Sequence, residues 1–126
     1  MRPKVLIVDR DPTVGKWINQ VLSRAGFEIT CVENPEAILP LVREGGFELL
    51  LIDYDVQKSK KSHFVNFLSF HHPDLPIVLM ATQNMSDLPK EALYACADYI
   101  EKPFPADVLL EMCRAYTKSR EHKQSA

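Results

Sequence analysis

The segment VLIVDRDPTV, residues 5–14, ends a four-residue apolar run on Asp9, Arg10 and Asp11, and a second apolar run, ELLLI, ends on Asp53. Each acid closes a stretch that reads as a buried strand, so the fold decides whether the two carboxylates meet. Carboxylates that converge from distant segments can hold a hard cation through oxygen, or act as nucleophile and acid/base. Arg10 bears on each of these, because a guanidinium is permanently charged and shaped to fork a carboxylate. Asp11, followed by Pro12 and Thr13, has the signature of a helix N-cap and is not counted as a ligand.

The chain has 126 residues, 46% hydrophobic and 25% charged, which suits one domain with a full core and is too short for two. A formal charge of −2 with Lys and Arg spread along the chain offers no basic stripe for nucleic acid. Cys31, Cys96 and Cys113 are odd in number and sit in apolar segments, so they read as buried free thiols in a reducing compartment. No apolar run approaches a membrane span and no leader is evident, so the expected location is the cytoplasm.

Short apolar runs alternate with longer amphipathic ones. Val5 to Val8, Phe27 to Val32, Phe47 to Ile52, Ile77 to Met80 and a weaker Asp98 to Ile100 read as strands covered on both faces, hence parallel. Between the first two, Val14, Ile18, Val21, Leu22 and Ala25 recur at helical spacing, with Gly26 as the stop. Pro35 begins a second helix that Pro40 should kink, Phe64 to Phe70 forms a third, and Pro89 opens a short fourth. Leu109, Leu110, Cys113 and Tyr116 mark the inner face of a fifth. This is a (βα)5 pattern without internal repeat. It predicts an α/β flavodoxin-like, doubly wound sheet of order 2-1-3-4-5 over residues 1–117, with 118–126 a polar tail or linker start. In that order the ligand crevice opens at the carboxyl ends of the first and third strands, where Asp9 and Asp53 stand.

Over nearly its whole length the sequence resembles the receiver domain of bacterial two-component response regulators. The acids after KVLIV, Asp53 after ELLLI, Thr82 after PIVLMA and Lys102 in DYIEKPF carry the resemblance. It implies that Asp53 accepts a phosphoryl group from a histidine kinase or phosphotransfer protein, with Thr82 turning its hydroxyl to a phosphoryl oxygen and Lys102 ion-pairing there. Tyr99 becomes the aromatic that follows this movement, and the face around it the docking surface for a downstream protein. Alone, each has a plainer reading: a turn threonine, a surface lysine, a half-buried strand aromatic. Such chemistry needs an aligned nucleophile and positive charge on the equatorial oxygens more than elaborate covalent steps.

Several residues depart from the family pattern. The family has an acid at position 10, and that acid binds Mg2+ together with the acceptor aspartate and a backbone carbonyl, which here would belong to Asp55. The implied metal set is therefore Asp9, Asp53 and Asp55, with Arg10 in the place of a ligand. At ~5 Å and an effective dielectric of ~20, each unit of altered charge is worth about 3 kcal/mol per charge it meets. A whole millimolar site amounts to only ~4 kcal/mol. Mg2+ binding is therefore expected to be weak or lost, with Arg10 forking Asp53 in the metal's electrostatic place and lowering the Asp53 pKa. Gln57 stands where the family has proline, in a loop containing Lys58, Lys60 and Lys61, and Gln83 replaces a small residue and narrows access. His63, His71, His72 and His122 lack metal-site spacing.

Two other functions fit parts of the chain. One is a receiver-like interaction module that works without phosphorylation. The other is a phosphatase of the haloacid-dehalogenase type, in which VLIVDRDPT supplies a D-x-D-x-T signature, Asp9 the nucleophile and Asp11 the acid/base. That second option lacks a later acidic pair and leaves Asp53 and Tyr99 idle.

Overall fold

The computed structural model describes residues 2–59 and 64–117. Five strands, β1 (Lys4–Val8), β2 (Glu28–Val32), β3 (Phe47–Asp53), β4 (Ile77–Ala81) and β5 (Asp98–Glu101), form one sheet of order β2-β1-β3-β4-β5. Every neighbouring pair is parallel, as the flavodoxin-like reading requires. The helices are α1 (Pro12–Arg24), α2 (Ile38–Glu44), α3 (Tyr54–Ser59), α4 (Phe64–His71), α5 (Lys90–Tyr94) and α6 (Ala106–Ala115).

Alternation along the strands divides the core in two. On one face Val5, Ile7, Leu49, Leu51, Val78 and Met80 pack with Ile18 and Leu22 of α1 and Leu109 and Cys113 of α6. On the other, Leu6, Val8, Leu50, Ile52, Ile77 and Leu79 pack with residues of α2, α3, α4 and α5. The two helical layers explain why β1, β3 and β4 are almost wholly apolar. β2 is an edge strand and is not covered on both faces; none of its five residues is buried. Phe27, expected to open it, lies just before it and is buried at 2% exposure.

The chain enters α1 through the predicted cap: Asp11 accepts a hydrogen bond from Thr13 N–H at 2.9 Å, and Pro12 fills the first turn. It leaves through Gly26, whose φ of 96° suits a residue without Cβ. Pro40 does not kink a longer helix. A short 3-10 turn, Pro35–Ala37, gives way to α2 at Ile38, so Pro40 falls in the first turn of α2, where its missing N–H has no intrahelical partner to lose. The segment after Asp53, expected to be a loop, begins as helix α3. Lys60, Lys61, His63, His122 and the tail 118–126 lie outside the described residues.

The thiols differ from their expected burial. Cys113 is buried and Cys96 intermediate, but Cys31 is exposed on the edge strand, its Sγ–H donating to Gly15 O at 3.4 Å. Burial pushes the Cys113 pKa up to about 12 and that of Cys96 to about 11, so both are poor nucleophiles at neutral pH.

Leu51 is 0% exposed in the central strand, between α1 and α6 on its face. Leu51→Ala is expected to cost about 3 kcal/mol in urea denaturation, the transfer and cavity cost of a core leucine. A loss below about 1 kcal/mol would contradict this tight packing.

Candidate functional site

Strand register sets the site. Val8 of β1 pairs with Ile52 of β3, so the next residues, Asp9 and Asp53, emerge side by side at the carboxyl edge of the sheet. β5 runs beside β4 as far as Ala81 opposite Glu101, and Lys102 N–H donates to Ala81 O at 2.7 Å. Thr82 and Lys102 are thereby brought to the same edge.

The Lys102 ammonium lies between the acids, 2.6 Å from Asp9 Oδ2 and 2.7 Å from Asp53 Oδ1. Both carboxylates are buried, at 4% and 6% residue exposure. Their remaining oxygens face main-chain donors: Asp9 Oδ1 accepts from Asp11 N–H at 2.9 Å and Asp53 Oδ2 from Asp55 N–H at 3.1 Å. Each of the four carboxylate oxygens therefore has an N–H partner. Among the described residues no group of three or more His, Cys, Asp or Glu side chains is placed to hold a metal ion. Asp55 meets the acceptor carboxylate through its N–H.

Burial raises the Asp53 pKa, and the like charges of Asp9 and Asp55 add to that rise; the hydrogen bond and charge of Lys102 oppose it without prevailing. The expected lowering does not occur. Burial also works against the charge of Lys102, but its hydrogen bonds to Asp53 and Asp9, with their charges, outweigh that and hold its pKa above the ordinary lysine value. The cation shared by two acids is held firmly protonated, while burial dominates at Asp53.

Arg10 does not fork Asp53. It is exposed and makes no ion pair among the described residues, because Lys102 already occupies the space between the acids. Arg10 instead joins the wall of an open cleft of about 1340 Å³ with Val14, Trp17, Gln83 and Phe104. The rings of Trp17 and Phe104 are 5.8 Å apart. Neither ring was given a role from the sequence, although Phe104 closes the DYIEKPF motif.

The two remaining site residues meet at Gln83. Thr82 is exposed and its hydroxyl donates to Gln83 Oε1 at 3.3 Å. The Tyr99 hydroxyl donates to the main-chain carbonyl of Gln83. Lys102 and Asp53 thus form the center of the site, while Thr82 and Tyr99 are tied to its rim. His71 packs against Phe67 and Phe70, away from any such cluster.

Residues 5–114 match the model of the response regulator receiver domain. The chain belongs to this family. Its relatives include the response regulator protein FleR of Pseudomonas aeruginosa, 30% identical over 113 residues, covering 89% of this chain and 24% of FleR. Another is the DNA-binding transcriptional regulator NtrC of Rhizobium meliloti, 27% identical over 108 residues, covering 84% of this chain and 22% of that protein. The chain spans about a quarter of the length of these relatives. A CheY-like receiver domain protein from Methanospirillum hungatei superposes with TM-score 0.83 at 20% identity, with 100% of both chains covered. A response regulator from Thermotoga maritima gives 0.82 at 22% identity, over 92% of this chain and 98% of that one. These likenesses show the fold. Receiver domains are signaling modules of two-component phosphorelays, not classical enzymes; they interact with histidine kinases and typically bind Mg2+. The haloacid-dehalogenase alternative is set aside by this membership, and the Asp11 it requires as acid/base caps α1. No helix among the described residues is long and apolar enough to cross a membrane.

Because the folded-state pKa of Asp53 is raised, its ionised form costs stability at neutral pH, and that cost vanishes below the unfolded aspartate value of about 3.9. Asp53→Asn should therefore show a higher urea midpoint than the wild type at pH 7, and the two should converge near pH 3. A lower midpoint at pH 7 would mean that Lys102 governs the Asp53 carboxylate more strongly than its burial does.

Proposed function

We propose that this receiver accepts a phosphoryl group on Asp53 from a histidine kinase or phosphotransfer protein, using fixed protein cations in place of a well-bound Mg2+. The observation that carries this reading is the Lys102 ammonium set between Asp9 and Asp53 at 2.6 and 2.7 Å. An Asp53 carboxylate oxygen attacks phosphorus, the bond to the donor nitrogen breaks, and the imidazole leaves with that electron pair. Burial keeps Asp53 more basic than a free aspartate, which favours attack. Lys102 is placed to follow the charge onto the phosphoryl oxygens, and Arg10, on the cleft wall, adds a second cation.

The residues do not fit an ordinary Mg2+ site. Mg2+ demands near-octahedral oxygen geometry, while the four oxygens of Asp9 and Asp53 already accept N–H groups and the third carboxylate is replaced by Arg10. A site at Asp9, Asp53 and Asp55 would have to displace Lys102 and accept a neighbouring guanidinium. Its affinity is accordingly weak or absent, and no step depends on it.

Signaling to a downstream protein is assigned to the face around Tyr99, whose hydroxyl bonds to Gln83 near the half-exposed Met85. No direct nucleic-acid or membrane contact is part of this reading, which places the domain in the cytoplasm. A second reading, a module that binds its partner without phosphorylation, is favored by one observation: the Thr82 hydroxyl is directed to Gln83 and not toward Asp53.

Treatment with acetyl phosphate, followed by intact-mass measurement, separates these readings. A single phosphoryl adduct is expected, lost in Asp53→Asn and retained in Asp9→Asn, and formed at rates that differ by less than about threefold between chelator and millimolar Mg2+, because the stabilising charge is fixed in the protein. An adduct that requires Mg2+ would contradict the proposed cation replacement. No adduct under either condition would favour the phosphorylation-independent module.

A further inference from the structure

Gln83 holds both switch candidates at once. Its side-chain oxygen accepts the Thr82 hydroxyl at 3.3 Å, and its main-chain carbonyl accepts the Tyr99 hydroxyl. Thr82 lies directly after β4, which pairs with β3 through Asp53 opposite Met80, so its backbone is anchored close to the acceptor. Its hydroxyl, by contrast, is directed along the rim. To meet a phosphoryl group on Asp53, that hydroxyl must leave Gln83 Oε1. The carbonyl that Tyr99 binds belongs to the following peptide, so the side-chain oxygen is the Gln83 group that acts on Thr82.

We infer that Gln83 is a positioning residue: its amide oxygen restrains the Thr82 hydroxyl in the resting state. The inference deepens the phosphoryl-acceptor reading and rests on it for its biological consequence. It differs from simple crowding of the cleft, because it assigns the effect to a hydrogen-bond acceptor and not to the size of the side chain. A restraint of this kind slows phosphorylation by the cost of one exposed hydrogen bond, a factor of about two to five.

Gln83→Met and Gln83→Glu test it. Methionine keeps the length of the side chain and removes the oxygen acceptor; glutamate keeps the acceptor. The first readout is the Thr82 χ1 rotamer in unphosphorylated protein, from three-bond NMR couplings to the Thr82 methyl carbon. One rotamer is expected to predominate in the wild type and in Gln83→Glu, and to lose population in Gln83→Met. The same rotamer populations in the wild type and in Gln83→Met would overturn the proposal. The second readout is the rate of Asp53 labelling by acetyl phosphate, which should rise about two- to fivefold in Gln83→Met and show no such rise when Thr82→Ala is also present. An unchanged rate in Gln83→Met, with labelling otherwise normal, would assign the role of Gln83 to size and overturn the restraint. If no variant is labelled at all, the phosphoryl-acceptor reading fails, and the couplings decide the resting-state restraint by themselves.

Discussion

The ammonium of Lys102 between two buried carboxylates is the interaction on which the rest of the site depends. Asp9 and Asp53 are carried to one point by the pairing of β1 with β3, and nothing in the apolar strands behind them offers a counter-charge. Two carboxylates buried at 4% and 6% exposure cannot face one another unpaired without a large electrostatic penalty. Lys102 supplies the compensation from the residue after β5, at the far side of β4. Sheet order, strand register and the Lys102 N–H bond to Ala81 O are thus all conditions for a single ionic contact.

Burial, and the sharing of one cation by two acids, together set the chemistry of the cluster. Lys102 is held strongly protonated by both partners, whereas Asp53 is left more basic than a free aspartate. A basic carboxylate beside a firm cation is an arrangement suited to receiving an electrophilic phosphoryl group and stabilising the charge that arrives with it. Arg10 contributes differently from Lys102. It stands at the cleft wall, where a long, exposed side chain can meet an incoming anion without entering the acid pair.

Much of the fold was legible because strand burial leaves a direct trace in sequence: the continuous apolar runs of β1, β3 and β4 follow from helices on both faces, and the Asp11-Pro12 cap and Gly26 mark the limits of α1. The convergence of Asp9 and Asp53 followed from sheet order, and the presence of Lys102 from the family resemblance. The orientation of charged side chains was less accessible. Arg10 and Lys102 are both able to neutralise the acids, and only the register of β5 against β4 shows which of them reaches the gap. The raised Asp53 pKa was missed for the same reason, since burial of the carboxylate outweighs a cation shared with Asp9. Helix α3 was hidden by a polar stretch without clear periodicity, and the contact of Tyr99 with Gln83 is to a main-chain carbonyl, which side-chain identity does not encode.

The stability of Lys102→Met measured against pH bears most directly on this account. Methionine preserves much of the apolar stem but removes the charge, leaving Asp9 and Asp53 without their shared cation. The variant should lose about 3 kcal/mol in urea denaturation at pH 7, the cost of breaking a buried ion pair from one side. The deficit should shrink as pH falls through the raised folded-state pKa of Asp53, because protonation removes uncompensated charge. A variant as stable as the wild type at pH 7, or more stable, would contradict the claim that Lys102 holds the acid pair together.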